Sequence, residues 1–134
     1  MKRALTTGVT IGPYSPAIIA KGLAFVSGQG GLDPETMELV GDGVTEQTAQ
    51  TMKNIAAILS QGGMTTDDIV SVTCYLIDID DWPAMNDEYV KHFSGKSPLP
   101  SRTAVAVSAL PAGVRVEMTC IAQLPDPGPG VRLV

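Results

Sequence analysis

The spacing of apolar residues changes period twice along this chain, and that alternation restricts the fold more than any single motif does. From Thr45 onward, Ala49, Met52, Ile55, Ala56 and Leu59 recur at helical spacing, while Gln47, Gln50, Lys53 and Asn54 fall largely elsewhere. Thr45 is placed to cap this helix and Gly62-Gly63 to end it. Trp82 to Phe93 returns to the same period, with Met85, Tyr89 and Phe93 four apart. Asp81 stands as its N-cap, Pro83 fits its first turn, and it should end near Gly95.

The remaining apolar runs are short and rich in β-branched residues, as strands are. Ala17 to Ala20 and Leu23 to Ser27, joined at Lys21-Gly22, read as a hairpin. A Gly-rich loop follows, with a turn at Asp33-Pro34-Glu35-Thr36 and room for a short strand at Met37 to Val40. Val70 to Ile77 reads as a core strand after a short turn at Thr66 to Asp68. Thr103 to Val107 and Val114 to Ala122 read as a second hairpin around Leu110-Pro111-Ala112-Gly113. The predicted order is β-β-(β)-α-β-α-β-β. It implies an α+β domain: one mixed sheet with both helices packed on one face and the other face free to meet neighbours.

At 134 residues the chain suits a single domain spanning 1–134, closed by an irregular tail at 125–134 that holds three prolines and two glycines. Charged residues make up 17%, below the roughly 25% of an average soluble domain. So little charge on so small a body implies that apolar surface is covered by other subunits or by a permanent partner. The formal net charge is −5 and the nine Lys and Arg are scattered, so no nucleic-acid partner is expected. No segment approaches the ~18 apolar residues of a membrane span, and Thr, Gly and Pro interrupt the start where a leader would be apolar. A cytoplasmic location is the expectation. Cys74 and Cys120 both sit in apolar strand-like runs and read as core residues, not a disulfide. With one histidine and two isolated cysteines, no metal site is expected.

Two charged residues stand out. Arg102 lies at a strand start between a proline-bounded loop and an uncharged run, with no acidic residue nearby in sequence. Such a guanidinium serves either a structural ion pair or fork-like binding of a ligand carboxylate. Glu117 interrupts VRVEMTCIA, where alternation sets Arg115, Glu117 and Thr119 on the face opposite Val116, Met118 and Cys120. It is an ordinary surface carboxylate if that face meets solvent, and a desolvated one fit for acid/base work if it meets a subunit boundary. Tyr14 and Asn86 can hydrogen-bond a ligand or simply pack, and His92 reads as a surface histidine. Ser27-Gly28-Gln29-Gly30-Gly31 follows a strand but opens no helix, which argues against a phosphate site.

Six segments, in order, are similar to those of the Rid (YjgF) family: Ile11 to Ser15, Phe25 to Gln29, Glu46-Gln47-Thr48, Ala84 to Tyr89, Pro100 to Thr103 and Val114 to Glu117. They span nearly the whole chain. The resemblance implies a chorismate-mutase-like fold and a homotrimer with clefts between subunits. It implies a cofactor-free deaminase that hydrolyses 2-imino or 2-enamino acids, such as 2-iminobutanoate and 2-iminopropanoate, to 2-oxo acids and ammonia. Arg102 would bind the substrate carboxylate and Glu117 orient the water, with Tyr14, Ser27, Gly28, Asn86 and Ala104 at the other pocket positions. Two departures stand out: Ala104 replaces a cysteine common among relatives, and Gly30-Gly31 replaces bulkier residues, which suggests a wider pocket. A deaminase of a larger intermediate such as 2-aminomuconate, or a non-catalytic trimer that binds keto acids, are the competing readings.

Overall fold

The structure is a computed structural model describing residues 1–8 and 10–125. The expected irregular tail therefore lies, from residue 126 on, outside the described residues. Six strands form one sheet: β1 (Arg3–Leu5), β2 (Ala17–Ala20), β3 (Leu23–Gly30), β4 (Ile69–Leu76), β5 (Ser101–Ala106) and β6 (Val116–Gln123). Helices α1 (Val44–Gln61) and α2 (Trp82–Tyr89) complete the α+β domain. The strand order is β1-β2-β3-β6-β4-β5, antiparallel throughout except for the parallel pair β4 and β5.

The first hairpin forms as the sequence indicates, with Ala20 opposite Leu23. The second does not. β5 and β6 are unpaired with each other: β6 lies between β3 and β4, and β5 sits outside β4. Leu110 to Gly113 resembles a hairpin loop in composition, but Pro111 starts a 3₁₀ turn in which Ala112 takes φ +60. The physical reason lies upstream. A strand, a helix and a strand in succession make a crossover, which brings β5 back parallel to β4 and leaves β6 to cross over. β6 then fills the centre because Val116, Met118, Cys120 and Ala122 are all apolar on one side and are buried there.

Other details depart locally. A three-residue strand, β1, precedes the hairpin, and the segment at Met37 to Val40 makes only an isolated bridge from Leu39 to Leu32. The helix α1 begins one residue earlier than its expected cap: Gly43 is the N-cap, and the Glu46 carboxylate accepts its N–H at 2.8 Å, so Thr45 lies exposed within the first turn. Helix α2 stops at Tyr89 and continues as a 3₁₀ turn over Val90–His92. His92 is not a surface residue: its ring nitrogen Nε2 meets Glu88 at 2.7 Å and its side chain is only 18% exposed.

The buried stripe of α1 is Val44, Gln47, Thr48, Thr51, Met52, Ile55, Ile58 and Leu59, so Gln47 belongs to the core and not, as its polarity suggests, to the outer face. Its amide donates to the Gly41 carbonyl and accepts from the Arg115 N–H, both at 2.8 Å. One buried side chain thus ties the loop after β3 to the start of β6, and it does so beside Gly31, where a Cβ would stand 2.6 Å from the Gln47 Cα. Replacing Gln47 by Leu keeps the volume but leaves a carbonyl and an N–H without partners. A loss of about 2–4 kcal/mol is expected in denaturant unfolding; an unchanged midpoint would show that water takes over both bonds.

Candidate functional site

Glu117 and Arg102 sit on opposite faces of the same sheet. On β6, Glu117 alternates with the buried Val116 and Met118 and pairs with Tyr75 of β4, so it belongs to the face the helices leave open. On β5, Arg102 pairs with the buried Val72, which places it on the helix-covered face. β5 and β6 flank β4, and the two residues are three positions apart in register. At ~4.8 Å per strand and ~3.3 Å per residue their Cα atoms are about 14 Å apart. One protomer cannot present both to one small molecule.

Around Arg102 the geometry is that of a held guanidinium. Its Nη2 donates to Asn86 Oδ1 at 2.6 Å, and its carbon lies 4.9 Å from the centre of the Tyr89 ring. Among the described residues it forms no ion pair, unlike Arg115, whose fork grips Asp81 at 2.8–3.0 Å. That grip leaves Asp81 at the N-cap position of α2 without a capping bond of its own. Asn86 and Tyr89 come from successive turns of α2, so the helix orients the arginine and neutralises nothing. Ala104, two residues on, shares Arg102's face and packs against the core beside Cys74. Burial pushes the thiol of Cys74 up to about 11 and that of Cys120 to about 12, so both remain protonated, as small apolar residues of the core.

Around Glu117 the geometry is that of a cleft of about 260 Å³, with Tyr14, Gly28, Gln29 and Gly30 also in its wall. A bulge in β3 builds it: Val26 faces Cys120 and Gln29 faces Met118, so Ser27 and Gly28 together oppose the single Thr119. A Cβ on Gly28 would stand 2.8 Å from Glu117 Oε2, and only glycine lets the carboxylate lie against the backbone there. Ser27 is in the bulge but outside the cleft wall. Its hydroxyl donates to the Ser15 carbonyl at 2.7 Å and so ties the Tyr14 loop to β3. The Tyr14 hydroxyl accepts the Ile11 N–H at 3.3 Å. Of the glycine pair, only Gly30 lines the cleft; Gly31 faces α1 and serves packing, so it does not widen the pocket. No group of three His, Cys, Asp or Glu at metal-binding distance occurs among the described residues.

The sequence positions of interest thus form two clusters, Tyr14, Gly28 and Glu117 in one and Asn86, Arg102 and Ala104 in the other. A profile of the family described as Endoribonuclease L-PSP matches residues 5–124. The chain belongs to this family. Its Rid character is equally plain in the relatives. A RutC family protein of Pyrococcus abyssi is 47% identical over 84% of this chain and 87% of its own length. A 2-iminobutanoate/2-iminopropanoate deaminase of Capra hircus is 43% identical over 84% of this chain and 80% of its own. The crystal structure of a conserved Rid-family protein of Yersinia pestis superposes with a TM-score of 0.87 at 40% identity, over 92% of this chain and 99% of that one. The six-stranded sheet with two helices on one face is thus the Rid fold. Reasoning from sequence missed Gln29 and the cleft lining from α1; the signal available was the Ser-Gly-Gln segment itself.

Burial raises the carboxyl of Glu117 above the ordinary glutamate range. A raised pKa means that the folded chain holds the proton more tightly than the unfolded one. Ionised Glu117 therefore costs stability, increasingly as pH climbs from the unfolded value of ~4.3 through the folded value, and by a constant amount above it. Glu117→Gln should melt higher than wild type at pH 7, with the gap closing below about pH 4. Equal Tm values at neutral pH would contradict the desolvation.

Proposed function

We propose that this Rid protein hydrolyses reactive 2-imino or 2-enamino acids to 2-oxo acids and ammonia, in clefts shared by neighbouring subunits of a homotrimer. The observation that carries this reading is the division of the charged pair: Arg102 and Glu117 occupy opposite faces of one sheet, and a second copy is what brings an arginine to the Glu117 cleft. The name of the goat relative, a 2-iminobutanoate/2-iminopropanoate deaminase, supports the reaction class. The open face with its exposed Phe25 and Val105 supports association.

In this reading Arg102, held by Asn86 and Tyr89, takes the substrate carboxylate in a bidentate grip and so places the C=N carbon. Glu117 accepts a proton from a water as the oxygen bonds to that carbon, and the π electrons move to nitrogen. Glu117 returns that proton to the nitrogen, giving a carbinolamine; it then relays the carbinolamine's O–H proton to the amine as the C–N bond breaks and the C=O bond forms, and ammonia leaves with a 2-oxo acid. Water is the only co-reactant. Gly28 contributes its backbone, Tyr14 closes the rim, Ala104 supplies main chain beside Arg102, and Ser27 holds the wall in place. An imine is already electrophilic, so positioning and modest proton transfer suffice. The protein would act in the cytoplasm, where enzymes using pyridoxal phosphate release such imines; no helix among the described residues is long and apolar enough to cross a membrane.

An amino-acid oxidase that generates 2-iminopropanoate in the presence of semicarbazide provides the test. Wild type should suppress semicarbazone formation, Arg102→Ala should not, and Glu117→Gln should lose on the order of 10²-fold in kcat/KM. Full turnover by Glu117→Gln would remove the acid/base role, and a carboxylate-binding trimer without activity would then be the better description.

A further inference from the structure

The cleft beside Glu117 is larger and more apolar than a two- or three-carbon imine requires. Beyond the carboxylate its walls are Ile11, Leu32, Pro34, Ala57, Ala112 and Val114, contributed by the Tyr14 loop, the segment after β3, α1 and the turn before β6. Its volume of about 260 Å³ exceeds the roughly 150 Å³ of an engineered apolar cavity that takes up benzene. Among the described residues no Lys, Arg or His lines it, so they offer no positive charge to a substrate's carboxylate.

The polar groups within reach are mostly committed. Asn54 Nδ2 donates to the carbonyls of Gly30 at 3.2 Å and Leu32 at 2.9 Å, and its Oδ1 accepts from Gln50 at 2.8 Å. Gln29 Nε2 donates to the Ser27 carbonyl at 3.3 Å. Gly30 and Val114 also pack closely in the wall: a Cβ on Gly30 would stand 2.8 Å from Val114 Cγ1.

We propose that this cavity receives the substrate's side chain, and that the preferred substrates are 2-imino acids with branched aliphatic or aromatic side chains. The inference rests on the deaminase reading for the position of the reacting carbon, which stands near Glu117 with its carboxylate directed away toward Arg102. This cavity then gives the side chain an apolar place to go. Each methylene buried in such a pocket discriminates by roughly tenfold or more, so a methyl group leaves most of the available affinity unused.

The products test this without turnover. Calorimetric titration of the intact protein with pyruvate, 4-methyl-2-oxopentanoate and phenylpyruvate should rank the two larger acids at least tenfold tighter than pyruvate. Ala57 lies on an exposed, helical position where leucine is well tolerated, and Ala57→Leu fills the cavity from one wall. It should abolish most of the advantage of the larger acids and change pyruvate binding by less than about threefold. Equal affinities in wild type, loss of all three ligands alike in Ala57→Leu, or no binding of any of them would overturn the proposal. Turnover by wild type and its loss in Glu117→Gln judge the deaminase reading separately, so one can fail while the other stands.

Discussion

Nearly everything in this structure depends on the position of β6 between β3 and β4. Its even-numbered residues, Val116 to Ala122, are apolar and at most 3% exposed, and they supply the middle of the core that α1 covers. Burying side chains of this kind contributes about 1.5–3 kcal/mol for each of the larger ones. The same alternation obliges the odd-numbered residues to face away, so the strand that anchors the core also projects Glu117 onto the uncovered face. Moving that register by one residue would bury a carboxylate and expose methionine. Glu117 is therefore positioned by the stability of the core, and it needs little support of its own beyond the bulge at Ser27 and Gly28 that receives it.

The same logic separates Arg102 from Glu117. The crossover through α2 returns the chain to the outer side of β4 and turns Arg102 toward that helix, where Asn86 and Tyr89 hold it. A guanidinium that is oriented but not neutralised by a carboxylate is suited to an anionic ligand. A carboxylate in a partly dry cleft is suited to proton transfer. The fold assigns these properties to opposite faces, and the proposed association of copies would reunite them.

Much of this was legible in the residues. The alternation in VRVEMTCIA set the face of Glu117, and the helical spacing set α1 and α2. The hairpin read from Leu110 to Gly113 was wrong because a turn-like composition says where the chain bends and not which strand it pairs with afterwards; the preceding strand-helix-strand order carried that information. Gln47 was placed outside the core because periodicity scores polarity, whereas two backbone partners at 2.8 Å make a buried amide favourable. The opposite facing of Arg102 and Glu117 could not be read from the residues, since it follows from strand order and register together. The glycine pair illustrates the same limit: adjacent identical residues serve different ends, Gly30 in the cleft wall and Gly31 under α1.

The claim that each site takes Arg102 from one subunit and Glu117 from its neighbour is tested most directly by subunit complementation. Arg102→Ala and Glu117→Gln chains, each inactive alone, would be co-expressed in equal amounts with different tags, and the mixed trimers purified and assayed. If sites are shared between adjacent copies, every mixed trimer carries one complete site of its three, and roughly one third of wild-type turnover should return. Mixed trimers no more active than either parent would place both residues' function within a single chain and contradict the account.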